Sequence, residues 1–503
     1  MERLKKIFRT ADIPFLDRYT IEHEPVKSVD LMERAARFFV GNLMKKFPRC
    51  RKFMIVAGWG NNGGDGYVIA RLLREQEMLV KVARVVASAE MSPDCRINYE
   101  RWKGETIEIN HSGDLMAEEG YVIIDALFGS GLNRPVSGLA GEVIGRMNAF
   151  SNAVVAVDIP SGLMGEDNSA NDRSMIVKAD YTFTFQFPKL AFMLPENAGY
   201  VGDWDVIDIR LHPEAMELTA TNYFFLTVEA VAQLLPRPSK FSHKGTNGTG
   251  LLVAGSYAMM GAAVLAAEAA VHSGIGLLAC HVPVKGIDII QVAVPEALVD
   301  PDKNGECFSG VADWKRYNAV AVGPGIGTKE ETVAGLKDLL TGWRGPTILD
   351  ADALNILSEN RKLLDLLHDK CILTPHPKEF ERLAGKSEND FERLNKLSNF
   401  ATYYKTIVVL KGAHTVIALP SGRCIFNMTG NPGMAKGGSG DVLTGMLLAL
   451  VTNGVRPEDA AVIGVFAHGM AGDIAAGENG MRGMSAGSII PALGKVWKKL
   501  EYR

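Results

Sequence analysis

The feature that most constrains this chain is a recurring alternation of short apolar runs, rich in Val, Ile and Ala, with helix-length stretches. The runs are apolar throughout rather than at every second residue. That marks strands covered on both faces, as in parallel sheets flanked by helices. In the first half the strand candidates are 53–58 (FMIVAG), 79–86 (LVKVARVV), 121–127 (YVIIDAL), 153–159 (AVVAVDI), 182–187 (TFTFQF) and 204–209 (WDVIDI). A helix is expected over 67–78, with apolar residues on one face. The second half resumes at 251–255, 277–282, 319–323, 347–351, 371–375 and 407–412, and closes with a hairpin of 415–419 and 423–427. The expected class is α/β, with each half a three-layer αβα domain.

Between the halves the pattern loosens and prolines, glycine and asparagine accumulate, so the boundary is expected within 212–228. That gives domains of 1–220 and 226–503. Length alone, 503 residues at about 150 per domain, would suggest roughly three. No short sequence period is present, which excludes a repeat array.

Composition narrows the function classes. Hydrophobic residues make up 47% and charged residues 22%, enough for large cores and too apolar for a disordered chain. The formal charge is −4 and no long basic block occurs, so a nucleic-acid partner is not expected. The six cysteines form no CxxC pair and the N-terminus lacks an apolar leader core, which points to the cytoplasm. The uncharged stretch 245–267 is long enough to cross a bilayer. Its glycines and polar residues favour strand (251–255), loop and buried helix (from Gly261) instead, so no membrane span is expected. The methionine-rich segments GMLLALV and VIGVFAHGMAG serve as core or as an interface.

The glycines cluster where chemistry is expected. GWGNNGGDG (58–66) lies between a strand and a helix, and Gly58, Gly60 and Gly63 match GxGxxG. A hydride-transferring dinucleotide site would also want an acid at the end of the next strand. Residues 84–88 (RVVAS) offer none. Glycines at such a turn expose N–H groups to a phosphate, and Asn61, Asn62 and Asp65 add oxygen ligands beyond what a turn needs. Asp65 as a plain helix cap is the alternative. Asp125 and Asp158 close two further apolar runs, each followed by a small-residue loop, so these acids are expected at one sheet edge. In the second half, Gly437, Gly438 and Gly440 lead into an apolar helix with Asp441 at its start, an anion hole facing a carboxylate. His376 sits between two prolines, held rigidly or simply placed on a surface turn.

NNGGDG, DALFGSGLNRP and VDIPSG resemble the N-terminal, NAD(P)HX epimerase domain of the bifunctional NAD(P)H-hydrate repair enzymes, a Rossmann-like fold. HKGTNG, VGPGIG, LDADALN, LTPHPKE, VLKGAHT and GGSGD resemble, in order, the ribokinase-like ADP- or ATP-dependent NAD(P)HX dehydratase. The first resemblance implies that Asn61, Asn62, Gly63, Gly64 and Asp65, with Gly129, Ser130, Gly131, Leu132, Asn133, Arg134 and Pro135, contact the damaged cofactor. It implies a potassium ion on Asn62, Asp125 and Ser161, and Asp158 as the acid/base at the epimerised carbon. A half-dry pocket is expected to raise the Asp158 pKa toward working pH. The second implies that Ala262, Gly325, His376 and Asp441 contact the hydrated cofactor. It puts the adenine nucleotide, with magnesium, on Lys411, Gly412, Ala413, His414, Thr415 and Gly440. AGSYAMMGAA departs from the more glycine-rich family loop, which weakens Ala262 most. The implied partners are NADHX, NADPHX and ADP or ATP, in a cytoplasmic homo-oligomer. Two other readings stay open at this point: a ribokinase-like small-molecule kinase with an accessory nucleotide domain, and a first domain that senses ligand without catalysis.

Overall fold

The computed structural model describes residues 4–86, 90–237 and 239–502. Ala87 and Ser88, the end of the RVVAS stretch, lie outside them. The chain divides into two compact units, residues 6–221 with 389–391, and residues 222–388 and 392–503 with 1–5.

The first unit is built on seven parallel strands: β1 (Lys52–Ala57), β2 (Leu79–Val85), β3 (Glu105–Ile109), β4 (Val122–Ala126), β5 (Val154–Val157), β6 (Tyr181–Phe185) and β7 (Asp203–Ile207). Their order is β3-β2-β1-β4-β5-β6-β7. Both faces are covered. Phe53, Ile55 and Ala57 pack with helices α1 (Ile13–His23), α2 (Ser28–Lys46) and α3 (Asn61–Glu75), while Met54 and Val56 pack with α4 (Gly138–Asn148). This two-sided burial is what the continuous apolar runs require. The order reverses direction between β1 and β4, a crevice where open α/β sheets bind ligands beyond the strand ends.

Two elements depart from expectation. β3, ETIEI, alternates polar and apolar residues at the sheet edge and carries no continuous apolar run. The NNGGDG segment is helix, not loop: α3 starts at Asn61 with Gly60 as N-cap, so Asp65 lies inside the helix and caps nothing. Its glycines answer to packing. A Cβ on Gly63 would sit 2.1 Å from the Gly58 carbonyl oxygen, and one on Gly66 2.7 Å from Ala126 Cβ.

Within the second unit, ten strands are β8 (Tyr223–Phe225), β9 (Thr249–Val253), β10 (Leu277–Val282), β11 (Leu298–Pro301), β12 (Ala319–Val322), β13 (Thr347–Leu349), β14 (Cys371–Leu373), β15 (Ile407–Leu410), β16 (Thr415–Ala418) and β17 (Cys424–Asn427). They run β8-β17-β16-β15-β14-β13-β12-β9-β10-β11. The pairs from β15 to β11 are parallel, β16-β17 is the expected antiparallel hairpin, and β15 also pairs antiparallel with β16. One face is packed by α5 (Met260–His272), α6 (Ser439–Thr452), α7 (Pro457–Gly483) and α8 (Ala486–Glu501). The 245–267 stretch forms β9, a loop and the start of α5, as its polar interruptions indicate. Helix α7 is long and apolar enough to cross a membrane, but most of its most apolar window is buried in this core. The methionine-rich segments belong to α6 and α7 and are mostly buried, which makes them core. All six cysteines are free.

Candidate active sites

In the first unit the ends of β1, β4, β5 and β6 surround a cavity of about 460 Å³, the size range of small-molecule sites. Asn61, Asn62, Asp65, Asp158 and the loop residues Gly129 to Arg134 line it, and so do Asp17 and Lys189. Gly63, Gly64 and Pro135 are not among its lining residues.

Asp158 follows β5 at φ +68°, a left-handed conformation that side chains seldom adopt and that tends to occur at functional sites. Its Oδ1 accepts hydrogen bonds from Lys189 Nζ at 2.7 Å and from the Phe185 N–H at 3.1 Å. Lys189 is 1% exposed at its side chain, and its ammonium also donates to Thr184 Oγ1 at 3.0 Å. Burial, the largest single influence, would raise the Asp158 pKa, but the Lys189 charge and hydrogen bonds from Lys189, Phe185 and Ser130 together outweigh it and hold the carboxyl below the ordinary range. The expected upward shift is therefore corrected: the site keeps Asp158 ionised.

The raised acids are its neighbours. Burial first, then the Asp158 charge, pushes Asp17 up to about 6, against a smaller opposing effect of Lys189. Burial and the charges of Asp158, Asp17 and Asp94 push Asp65 well above the carboxylate range. An ionised carboxylate facing acids held above the ordinary carboxylate range is a donor–acceptor set.

Asp125 and Ser161 lie deeper and are fully buried. Ser161 donates to Asp125 through its hydroxyl at 2.6 Å and its N–H at 2.7 Å, and the Phe128 N–H donates to Ser161 Oγ at 2.8 Å. Burial leads the causes that put Asp125 at about 6. Nearby, Asn62 is 7% exposed and its Nδ2 finds no hydrogen-bond partner among the described residues. The carboxylate, hydroxyl and carboxamide oxygens of these three residues are hard donors of the kind a hard cation takes, whereas the Asn62 Nδ2 group is itself a hydrogen-bond donor and calls for an acceptor. This donor set fits potassium.

In the second unit the expected residues fall into two linked groups. A Cβ on Gly325, which stands at φ +65°, would lie 2.9 Å from the Met259 carbonyl oxygen and 3.3 Å from Ala262 Cβ. The two loops therefore meet here, and only glycine fits. The same glycine-rich loop donates from the Gly327 N–H to Asp352 at 2.9 Å. Asp352 opens a helix immediately after Asp350 and Ala351. Asp350 accepts from Lys411 Nζ at 2.8 Å and from Thr444 Oγ1 at 2.9 Å. Thr444 and Asp441 are both on α6, Asp441 in its first turn.

Burial, with the Asp350 charge behind it, pushes Asp441 up to about 7, with Lys411 opposing. For Lys411 the opposite balance holds: burial lowers its ammonium, and the Asp350 and Glu379 carboxylates outweigh this and raise it. His376 caps the helix Pro377–Ala384, its Nδ1 accepting from the N–H groups of Lys378 and Glu379 at 3.1 and 3.3 Å. Its Nε2 stays half-exposed, 3.5 Å from Glu379 Oε1. In the KGAHT turn, Thr415 Oγ1 donates to the Gly412 carbonyl at 2.9 Å, and the Lys411 N–H donates to the Pro375 carbonyl at 2.9 Å. Burial lowers the His414 imidazole.

Two family models match the chain: the YjeF-related protein N-terminus over residues 28–191, and NAD(P)H-hydrate dehydratase over 250–495. The bifunctional NAD(P)H-hydrate repair enzyme of Moorella thermoacetica is 35% identical over 515 residues, covering 98% of this chain and 96% of the relative. That of Thermofilum pendens is 36% identical, covering 98% and 97%. The chain belongs to the bifunctional NAD(P)H-hydrate repair family. Its two α/β units match the fold class that resemblance implied. Among solved structures, the ADP/ATP-dependent NAD(P)H-hydrate dehydratase of Bacillus subtilis, co-crystallised with ATP and Mg²⁺, is 35% identical. It covers 56% of this chain and 100% of that one, with a TM-score of 0.49.

Sequence reasoning missed Lys189, Asp17 and Asp350 as site residues. The available signal for Lys189 was a lone lysine within the apolar stretch FPKLAF; for Asp350 it was the first acid of LDADALN.

Proposed function

We propose that residues 1–220 interconvert the R and S forms of NADHX and NADPHX, and that residues 226–503 dehydrate the S form back to NADH and NADPH at the expense of ADP or ATP. The full-length likeness to bifunctional NAD(P)H-hydrate repair enzymes carries this reading. Each half supplies an aspartate suited to its step, Asp158 buried and Asp441 half-buried. Asp158, ionised beside Lys189, takes the proton from the hydroxyl on the ring carbon as the bond from that carbon to the ring nitrogen opens to a carbonyl, and returns it to the oxygen when the ring recloses on the other face. Asn61, Asn62, Asp65 and Gly129 to Arg134, which line the cavity, bind the hydrated dinucleotide around it. Asn62, Asp125 and Ser161 would hold a potassium ion, which supplies fixed positive charge beside the substrate and favours the ionised form of Asp125.

In the second half, Ala262, Gly325, His376 and Asp441 contact the hydrated ring. Lys411 to Thr415 and Gly440 hold the adenine nucleotide with its magnesium. Hydroxide leaves poorly near neutral pH, so the reaction needs either a phosphoryl group on that oxygen or a proton delivered to it. A carboxyl titrating at about 7 can give or take a proton at working pH. A homo-oligomer in the cytoplasm completes the proposal.

The deciding experiment supplies each epimer separately with ADP or ATP and follows recovery of reduced-nicotinamide absorbance. S-NADHX is expected to recover with at least one nucleotide, and R-NADHX to recover through the same enzyme. In Asp158→Ala, recovery from R should fall by about 10²–10⁴-fold while recovery from S persists. Failure of S-NADHX with both nucleotides would sink the reading.

A further inference from the structure

Asp350, after β13, and Lys411, after β15, form an ion pair at 2.8 Å in the second unit. The Asp350 side chain is 2% exposed, and its two oxygens are both engaged, one by Lys411 and the other by Thr444. The Lys411 ammonium lies under the first turn of α6: a Cβ on Gly440 would come 3.3 Å from Lys411 Nζ and 3.6 Å from Asp350 Oδ2. An ammonium at the positive end of a helix dipole is unfavourable unless an anion accompanies it. Asp350 is that resident anion, and Thr444 ties it to the helix that carries Asp441.

We infer that Asp350 is a positioning residue for dehydration, holding Lys411 beneath the glycine turn and keeping that ammonium from pairing with Asp441. The inference rests on the dehydratase reading and adds to it a residue that never touches the ring. The groups that face this site are Asp350 and Asp352 after β13, Lys411 after β15, His376 and Glu379 on the helix Pro377–Ala384, and His468 on α7. Asp350 opposes ionisation of Asp441 in two ways. Its own negative charge repels a second one, and it occupies the ammonium that would otherwise stabilise it.

Both effects act in the same direction, so the sign of the test does not depend on whether Asp441 works as acid or base. In Asp350→Asn, the limb of the kcat/KM–pH profile that belongs to Asp441 should move to lower pH by about 1–3 units. Asp350→Glu keeps the charge and should hold the limb in place even where kcat falls. Lys411→Met removes the opposing charge and should move the limb upward. All variants are measured with S-NADHX and saturating nucleotide in the full chain, with thermal unfolding as the check on folding of the second unit. A wild-type enzyme that fails to dehydrate S-NADHX would reject the dehydratase reading itself. An active wild type with an unmoved limb in Asp350→Asn would reject only the role of Asp350. If Asp350→Asn fails to fold, an Asp350→Glu limb shifted as far as about one unit, or an unmoved Lys411→Met limb, would overturn the inference.

Discussion

Asp158 is buried beside the buried Lys189 and Asp441 is half-buried near the half-buried Lys411, yet their pKa values move in opposite directions. In the first unit Lys189 bonds Asp158 directly at 2.7 Å, and the carboxyl is held below the ordinary range. In the second, Lys411 bonds a different aspartate, Asp350, at 2.8 Å. Asp441 then feels a like charge and is raised to about 7. Burial favours the proton in both places. The bonding partner of the lysine decides which carboxyl keeps it.

The largest effect is expected from breaking the first arrangement. Lys189→Met leaves Asp158 buried without its counter-charge, which should cost about 3–5 kcal/mol of stability. The pH dependence reverses with it. In the wild type the depressed Asp158 contributes stability above the ordinary carboxylate range, lost as pH falls through its folded pKa. In the variant the folded pKa rises, so stability is lost as pH rises through that range. Thermal unfolding at several pH values checks both, and a difference between the two proteins that does not grow above pH ~4 would break the comparison. Epimerisation should fall at neutral pH and recover partly at higher pH, where Asp158 ionises again.

That contrast was only half legible beforehand. The parallel strands announced themselves because both faces are buried: β10 begins and ends where its apolar run does, at Leu277 and Val282. The edge strands did not. ETIEI alternates, and Leu298–Pro301 is largely exposed and ends in a residue that cannot donate to a ladder. The start of α3 was hidden because Gly63, Gly64 and Gly66 argue against helix, whereas close approach to the Gly58 carbonyl, to Met32 and to Ala126 demands them in turn. Asp158 and Asp441 stood out from their glycine-rich surroundings. Lys189 is 31 residues from Asp158, and a lone lysine in an apolar stretch usually signals a snorkelling surface side chain. The sequence therefore pointed to the acids without their counter-charges, and the direction of the Asp158 shift came out wrong for that reason.

A smaller effect is expected at Asp441. A carboxyl raised in the folded state weakens folding as pH rises from the ordinary carboxylate value to about 7, because the unfolded chain ionises freely while the folded one resists. Asp441→Asn removes that penalty. Above neutral pH the variant should be more stable by on the order of 2 kcal/mol, with dehydration reduced by about 10²–10⁴-fold. Asp158→Asn should show no such gain, since Asp158 pairs with Lys189 at 2.7 Å. Equal stability changes in the two variants, read by denaturant midpoints at pH 8, would remove the distinction between the sites.

The smallest change tests how tightly the second pair is held. A Cβ on Gly440 would stand 3.3 Å from Lys411 Nζ, a contact that a few tenths of an ångström would relieve. A lysine free to move would make that shift at no cost. Lys411 is not free: it bonds Asp350 at 2.8 Å, and Asp350 in turn bonds Thr444 at 2.9 Å, on the same helix as Gly440. Gly440→Ala should therefore pull against a closed circuit, raising the nucleotide KM by roughly 10-fold, or about 1.4 kcal/mol, with epimerisation unchanged. An unchanged nucleotide KM would mean that the ammonium yields easily. The fixed partner that separates Asp441 from Asp158 would then be looser than its bond lengths imply.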